Sequence, residues 1–582
     1  MAKPVKRLMA VGAVGALALG LVACGGGSDN SSGGSSSSGS GSTGTKGGEL
    51  IISQQDPVDH WDPQRTYTGV DLSNETRLFY RQLVAYPASS DTTEATTPVP
   101  DLATDTGTSS KGGRQWQFTL KKGVKWQDGS AITCADFQYG ASRVFATDTI
   151  TGGPNYLLNY LDVPRKSDGT PVYDGPYKGD GQAGFDKAIT CSNNNRTITY
   201  KFNKPWPDFP LAVASLHMMD PYKKSEDKGA KNDDVVFSDG PYEVGPNGYD
   251  PDKGGTFVRN PNYDASTDNP DLRQALPDEI TFKFGDTPET IYEELFADSG
   301  DAQRMISENR IPTSDFARIS SAQDRYLQVE SPYVDYVVLN FKRLTNPLVR
   351  KALAASTNRE SWIAAGGGAK AYKAATSIVN PSVKGYQSNP AFSGSNSGDV
   401  AKAKQLLKQA GVSTPYPITF TYPQSDTVDK QAAALADTWD KAGFKVTLDP
   451  LGDVYYSKIQ KPSNTADVIW GGWGADWPSA ITVTPPLFDS TVNFSADSNG
   501  QDYGNYQSAA FNKLAEKARS ATTLTQQTKY LQKADLQLGK DTAYIPLEIS
   551  IFNWLHGSKV TGFTTTAASS SFPDLGPIGV ED

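Results

Sequence analysis

An α/β architecture is what this sequence predicts, and three of its stretches predict it. Val400, Ala403, Leu406, Leu407 and Ala410 share one helical face, with Asp399 placed to cap its start and Gly411 its end. Val428, Ala432, Leu435, Trp439 and Ala442 repeat the pattern ahead of Gly443. Phe444, Val446 and Leu448 then alternate as a strand does, and helix running directly into strand is the local mark of α/β packing.

The elements follow in chain order. Lys3, Lys6 and Arg7 precede an apolar run from Leu8 to Gly20, which is too short for a permanent membrane span. Leu21-Val22-Ala23-Cys24 follows it and resembles a lipobox, which implies cleavage after residue 23 and a lipid on Cys24. Residues 24–48 are almost all Gly, Ser, Thr and Asn, a composition that cannot bury enough apolar surface to order itself and so predicts a tether. Glu49 to Ser53 predicts a strand. Trp116 to Leu120 alternates, Lys121-Lys122-Gly123 makes a turn, and Val124 and Trp126 resume, which predicts a hairpin. Thr133 then caps a helix beginning Ala135-Asp136-Phe137. Residues 164–196, rich in Gly, Asp, Asn and Lys, predict a surface loop, and Thr197 to Phe202 a strand.

Charge and cysteine content narrow the function classes. The formal charge is −10, or −13 without the three N-terminal cations, and no basic block occurs, which argues against nucleic acid as a partner. With Cys24 assigned to lipid, Cys134 and Cys191 remain, and outside the cell such a pair is expected to be oxidised to a disulfide. His60, His217 and His556 show no metal-ligand spacing, and neither H-E-x-x-H nor C-x-x-C is present. There is no P-loop, no dinucleotide fingerprint and no G-x-S-x-G elbow, so no cofactor and no catalysis are expected.

Six segments, in order along the chain, carry a family resemblance. They are Trp61-Asp62-Pro63, the run Phe118 to Gly129, Ser238-Asp239-Gly240-Pro241-Tyr242, and Asn260-Pro261-Asn262-Tyr263. Leu339-Asn340-Phe341 with Val349 to Leu353 is the fifth, and Gly472-Trp473-Gly474-Ala475-Asp476-Trp477-Pro478 the sixth. The chain thereby resembles the peptide-binding family, family 5, of ABC-transporter solute-binding lipoproteins. The resemblance implies a class II periplasmic-binding-protein fold, two lobes around a hinge with an extra domain on the first lobe. Lobe I is expected from residues 49–80, 215–332 and 543–582, the extra domain from 81–214, and lobe II from 333–542. The crossover strands are expected near Tyr333 to Phe341 and Tyr544 to Phe552.

The resemblance also implies a ligand site and partners. Asp476 stands where peptide-binding relatives hold the ligand's α-amino group. Gly472 and Gly474 would let backbone approach the ligand, and Trp470, Trp473 and Trp477 are candidates to line it. Some relatives carry a basic residue where Trp470 stands, so a ligand carboxylate would need another partner, with Arg343, Arg350 and Arg359 as candidates by charge alone. The implied protein is a monomer, lipid-anchored on the outer face of the membrane, that captures peptides and delivers them to ABC permease subunits. Oligosaccharides or metal chelates are the alternative cargo, and a tethered glycoside hydrolase using two carboxylates is the alternative outside the family.

Overall fold

The computed structural model describes residues 44–581. The expectations for Cys24 and the signal segment lie outside the described residues. The last residues of the expected tether are already docked: Gly47 N–H donates to the Leu276 carbonyl at 2.9 Å, and Thr45 N–H to the Thr561 hydroxyl at 2.9 Å. Among the described residues no helix is long and apolar enough to cross a membrane.

Three sheets organise the chain. The lobe I sheet orders its strands Met305–Ser307, Glu49–Gln54, Glu279–Phe284, Gly254–Arg259 and Tyr242–Asp250. The extra domain carries Thr108–Ser110, Gln115–Thr119, Thr197–Lys201 and Ile189–Ser192. The third sheet joins lobe II to the two crossover strands and orders Tyr372–Ala374, Tyr544–Leu555, Tyr326–Leu339, Val468–Trp473, Tyr416–Pro423 and Phe444–Leu451. The fold is the expected two-lobed α/β one. Its crossover strands are the two longest, Tyr326–Leu339 and Tyr544–Leu555, and they pair antiparallel with a register shift between Glu330 and Val334.

The lobe II helices form where the apolar periodicity places them. Val400–Ala410 is capped by the Asp399 carboxylate, which accepts from Lys402 N–H at 2.8 Å, and ends at Gly411 with φ of 67°. Asp426–Lys441 is capped by Ser425 and runs into the strand Phe444–Leu451.

Two expectations in the extra domain are corrected. Gln115–Thr119 forms no hairpin with the residues after it, because both of its edges are already taken, by Thr108–Ser110 and by Thr197–Lys201. Val124 and Trp126 are buried all the same, in a short excursion closed by one bridge between Lys125 and Ala131. The segment 164–196 is more than a loop, since it contains the helix Gln182–Ala188 and the edge strand Ile189–Ser192. That strand brings Cys191 to Cys134, the first residue of the helix Cys134–Arg143, and the two are joined in a disulfide.

Lobe I keeps apolar cores of its own, one around Trp61, Phe79, Phe257 and Phe282. By contrast, a single apolar core is continuous from the extra domain into lobe II. Trp206 of the extra domain and Trp477 of lobe II meet within it, ring centroids 6.1 Å apart. The lobes are thus closed on one another.

Candidate functional site

The strand Val468–Trp473 runs parallel to Tyr416–Pro423, and its carboxyl end opens toward the extra domain. In open α/β sheets that end is where ligands bind. Beyond the strand the chain leaves regular structure at Gly474-Ala475-Asp476, which frees these residues to reach across the cleft.

Asp476 is half-buried and faces two tyrosines from the opposite wall. The Tyr156 hydroxyl, from the extra-domain helix Tyr156–Tyr160, donates to its Oδ2. The Tyr67 hydroxyl, from the lobe I loop ahead of the helix Gly69–Leu78, meets the same carboxylate. Burial holds the Asp476 carboxyl above its ordinary pKa, and the two phenols pull it part of the way back. Burial beside the carboxylate pushes both phenols up, so they stay protonated and act as donors. Tyr67 keeps 43% of its surface, so the pocket has an open side. A half-desolvated carboxylate whose donors are both neutral phenols keeps an unbalanced negative charge, which an ammonium group can balance.

The two glycines of the motif have a reason internal to the protein. A Cβ on Gly474 would lie 2.7 Å from the Tyr333 ring, and one on Gly472 would lie 2.9 Å from Asp335 Oδ1 and 3.0 Å from Trp470. Both positions are therefore closed to side chains by the protein's own groups.

The three tryptophans differ. Trp473 is half-buried, and its Nε1–H donates to the Thr482 carbonyl at 2.8 Å. Trp470 is buried on the strand opposite Val337, with its carbonyl accepting from the Tyr455 hydroxyl at 2.5 Å. Trp477 is buried across the cleft: its Nε1–H donates to Asp208 Oδ2 at 2.5 Å and its ring packs edge-on against Tyr156 at 4.7 Å. Burying a side chain of that size contributes roughly 3 kcal/mol to whatever state buries it, here the closed one.

The candidate carboxylate partners are spent elsewhere. Arg343 pairs with Asp467 at 2.7 Å, Arg350 donates to the carbonyls of Leu344, Thr345 and Asp541, and Arg359 to Asn396 and the Phe392 carbonyl. A cation at the crossover strands is Arg310, whose guanidinium lies 4.5 Å over the Phe552 ring. It acts on Asp335, whose carboxyl burial raises and Arg310 only partly draws back, leaving it at about 7. The histidines serve the framework. His60 Nδ1 lies 2.5 Å from Asp233, His217 is buried against Asp220, and His556 Nδ1 lies 2.8 Å from the Gly557 carbonyl. Among the described residues no group of three or more His, Cys, Asp or Glu could hold a metal ion.

Tyr67, Tyr156 and Asp208 were not singled out by the sequence reading. Each lies far along the chain from Asp476, in a stretch with no motif of its own, and only the closing of the lobes brings them together. The one local signal is that Asp208 stands directly ahead of the helix Phe209–Ser215, where a capping role would have been read.

Two lobes joined by long crossover strands, with a cluster of polar groups from both sides meeting at Asp476, are the architecture of a solute-binding protein. The model of "Bacterial extracellular solute-binding proteins, family 5 Middle" matches residues 97–495, more than half the chain, and the chain belongs to that family. "Probable deoxycholate-binding periplasmic protein YgiS" of Escherichia coli K12 is 24% identical over 449 residues, 75% of this chain and 77% of its own. "Oligopeptide-binding protein OppA" of Bacillus subtilis 168 is 24% identical over 477 residues, 78% of this chain and 80% of its own. The solved structure of "Clavulanic acid biosynthesis oligopeptide binding protein 2" superposes with a TM-score of 0.80 at 23% identity, over 92% of this chain and 96% of that one.

Proposed function

We propose that this protein captures peptides by their free amino terminus, closes its lobes over them, and hands them to the permease of an ABC importer from a lipid anchor at Cys24. The observation that carries the reading is Asp476. Its carboxylate sits in the cleft, half-buried, hydrogen-bonded only to neutral phenols from the far wall. An incoming ammonium supplies the missing charge, while Tyr67 and Tyr156, which donate their protons to Asp476, offer their oxygen lone pairs to the remaining N–H groups. The names of the oligopeptide-binding relatives support the same cargo. The anchor would keep the loaded protein beside its permease, and the expected place of action is the outer face of the membrane.

Mass spectrometry of what acid releases from the purified protein tests the cargo. Short peptides of mixed sequence are the expected result. A steroid acid, as the name of the YgiS relative would suggest, or a sugar or metal chelate, would keep the fold and overturn the peptide reading.

A further inference from the structure

The residue after the candidate ammonium partner is held from the other side of the cleft. Trp477 donates its indole N–H to Asp208 Oδ2 at 2.5 Å, and Gln527 Nε2 approaches Asp208 Oδ1 at 3.4 Å. Asp208 belongs to the extra domain and is 1% exposed, yet both of these donors come from lobe II. A buried carboxylate keeps its place only while its donors are present, so this contact exists in the closed form and not in an open one. Two further polar atoms of the same contact, Trp206 Nε1 and Gln527 Oε1, are buried with no hydrogen-bond partner, so the contact is only partly satisfied.

Asp476 and Trp477 are adjacent in the chain, so anchoring the Trp477 side chain limits where the Asp476 backbone can lie. Asp476 meets the tyrosine from the helix Tyr156–Tyr160, and Trp477 packs on that same tyrosine while bonded to Asp208. We propose that Asp208 is a positioning residue of the ligand site: through the Trp477 indole it sets the Asp476 carboxylate against the far wall, so that the amine pocket is complete only when lobe II and the extra domain meet. The proposal rests on Asp476 binding the ligand's ammonium. It goes beyond that reading by making recognition of the amine and closure a single event, assigned to a residue that touches no ligand.

Calorimetric titration of the full chain with a free-amine peptide and its N-acetylated twin tests this. In Asp208→Ala the free-amine peptide should lose about tenfold in affinity and the twin less than about threefold, because the lost quantity is the placement of the charge. Asp208→Asn should restore most of the difference, since its amide oxygen still accepts the indole N–H. Equal losses for both peptides, or no loss, would mean a purely structural role and overturn the proposal. Where Asp208→Ala does not fold, Trp477→Phe, which removes the indole N–H together with part of the ring that packs on Tyr156, is held to the same two outcomes. A wild-type protein that does not distinguish the twins would overturn the ammonium reading and this proposal with it, whereas discrimination that survives in Asp208→Ala would overturn this proposal alone.

Discussion

Asp476→Asn is the substitution that isolates charge from shape at the proposed ligand site. The amide is nearly the size of the carboxylate, and its oxygen can still accept from the Tyr156 hydroxyl, so the pocket's far wall keeps its partner. What disappears is the attraction for an ammonium. At ~4 Å and an effective dielectric near ~20, two unit charges attract by about 4 kcal/mol before desolvation is subtracted. Hydrogen bonds to charged groups leave about 1.5–3 kcal/mol net, and each 1.4 kcal/mol is about a factor of ten in the dissociation constant. Free-amine peptides should therefore bind about ten- to a hundredfold more weakly to Asp476→Asn, and N-acetylated twins should change little. The wild-type protein should show the same contrast with pH. Burial raises the Asp476 pKa in the closed, empty form, and an ammonium that stabilises the anion lowers it. Proton and ligand thus compete, so affinity for free-amine peptides should fall as pH is lowered through the raised pKa, while acetylated peptides stay flat. Equal losses for the two peptides in Asp476→Asn, measured by calorimetry, would refute the charge argument.

Two further outcomes bear on the anchor and on the frame. Cys24→Ser should move the protein from the membrane fraction to the medium, and unchanged retention on fractionation would remove the lipid from the account. His217 ties the chain after the extra domain to the helix Gly69–Leu78, within lobe I; burial lowers its pKa, but Asp220 and Glu75 outweigh burial and push it up to about 9. The stability this gives is present in full below the ordinary histidine value and is lost as pH rises through about 9. The melting temperature should accordingly fall between about pH 6.5 and pH 9. His217→Asn should flatten that slope, and an identical slope in the variant would show that the charge resides elsewhere.

How much of this was legible in the sequence depends on whether the partners are near in the chain. Asp399 and Gly411 cap one helix at both ends, and each acts on its immediate neighbours, so pattern alone placed them. The crossover strands were legible through the family resemblance, and in the first of them only the stretch Tyr336 to Leu339 is buried on both faces. The hairpin expected at Trp116 to Trp126 failed for the opposite reason. Alternation shows that a strand exists but not which strand pairs with it, and Gln115–Thr119 found partners on both sides before the following residues could fold back. In the site, the motif around Asp476 was readable by family likeness. What surrounds the carboxylate was not, because Tyr67, Tyr156 and Asp208 come from two other units and no local pattern marks a residue whose partner lies hundreds of positions away. The glycines show a subtler limit. The sequence points to the ligand as the reason for bare backbone at Gly472 and Gly474, whereas the groups that approach them here are Asp335, Trp470 and Tyr333 of the protein itself.

That division has a consequence for how binding and shape are linked. A ligand moves a two-state protein only by binding one state better than the other. Here the difference is built into the site, since an open form would separate Asp476 from Tyr156 and Trp477 from Asp208. The continuous apolar core between lobe II and the extra domain favours closure, because parting Trp477 from Trp206 returns a large ring to water. Against it stand the cost of desolvating Asp208 and Asp476, whose pKa values burial raises, and the unpartnered atoms at Trp206 and Gln527. A cation at Asp476 relieves one of those costs in the closed state alone. An acetylated peptide of the same sequence would not relieve it, and it should therefore favour closure less than the free-amine peptide does.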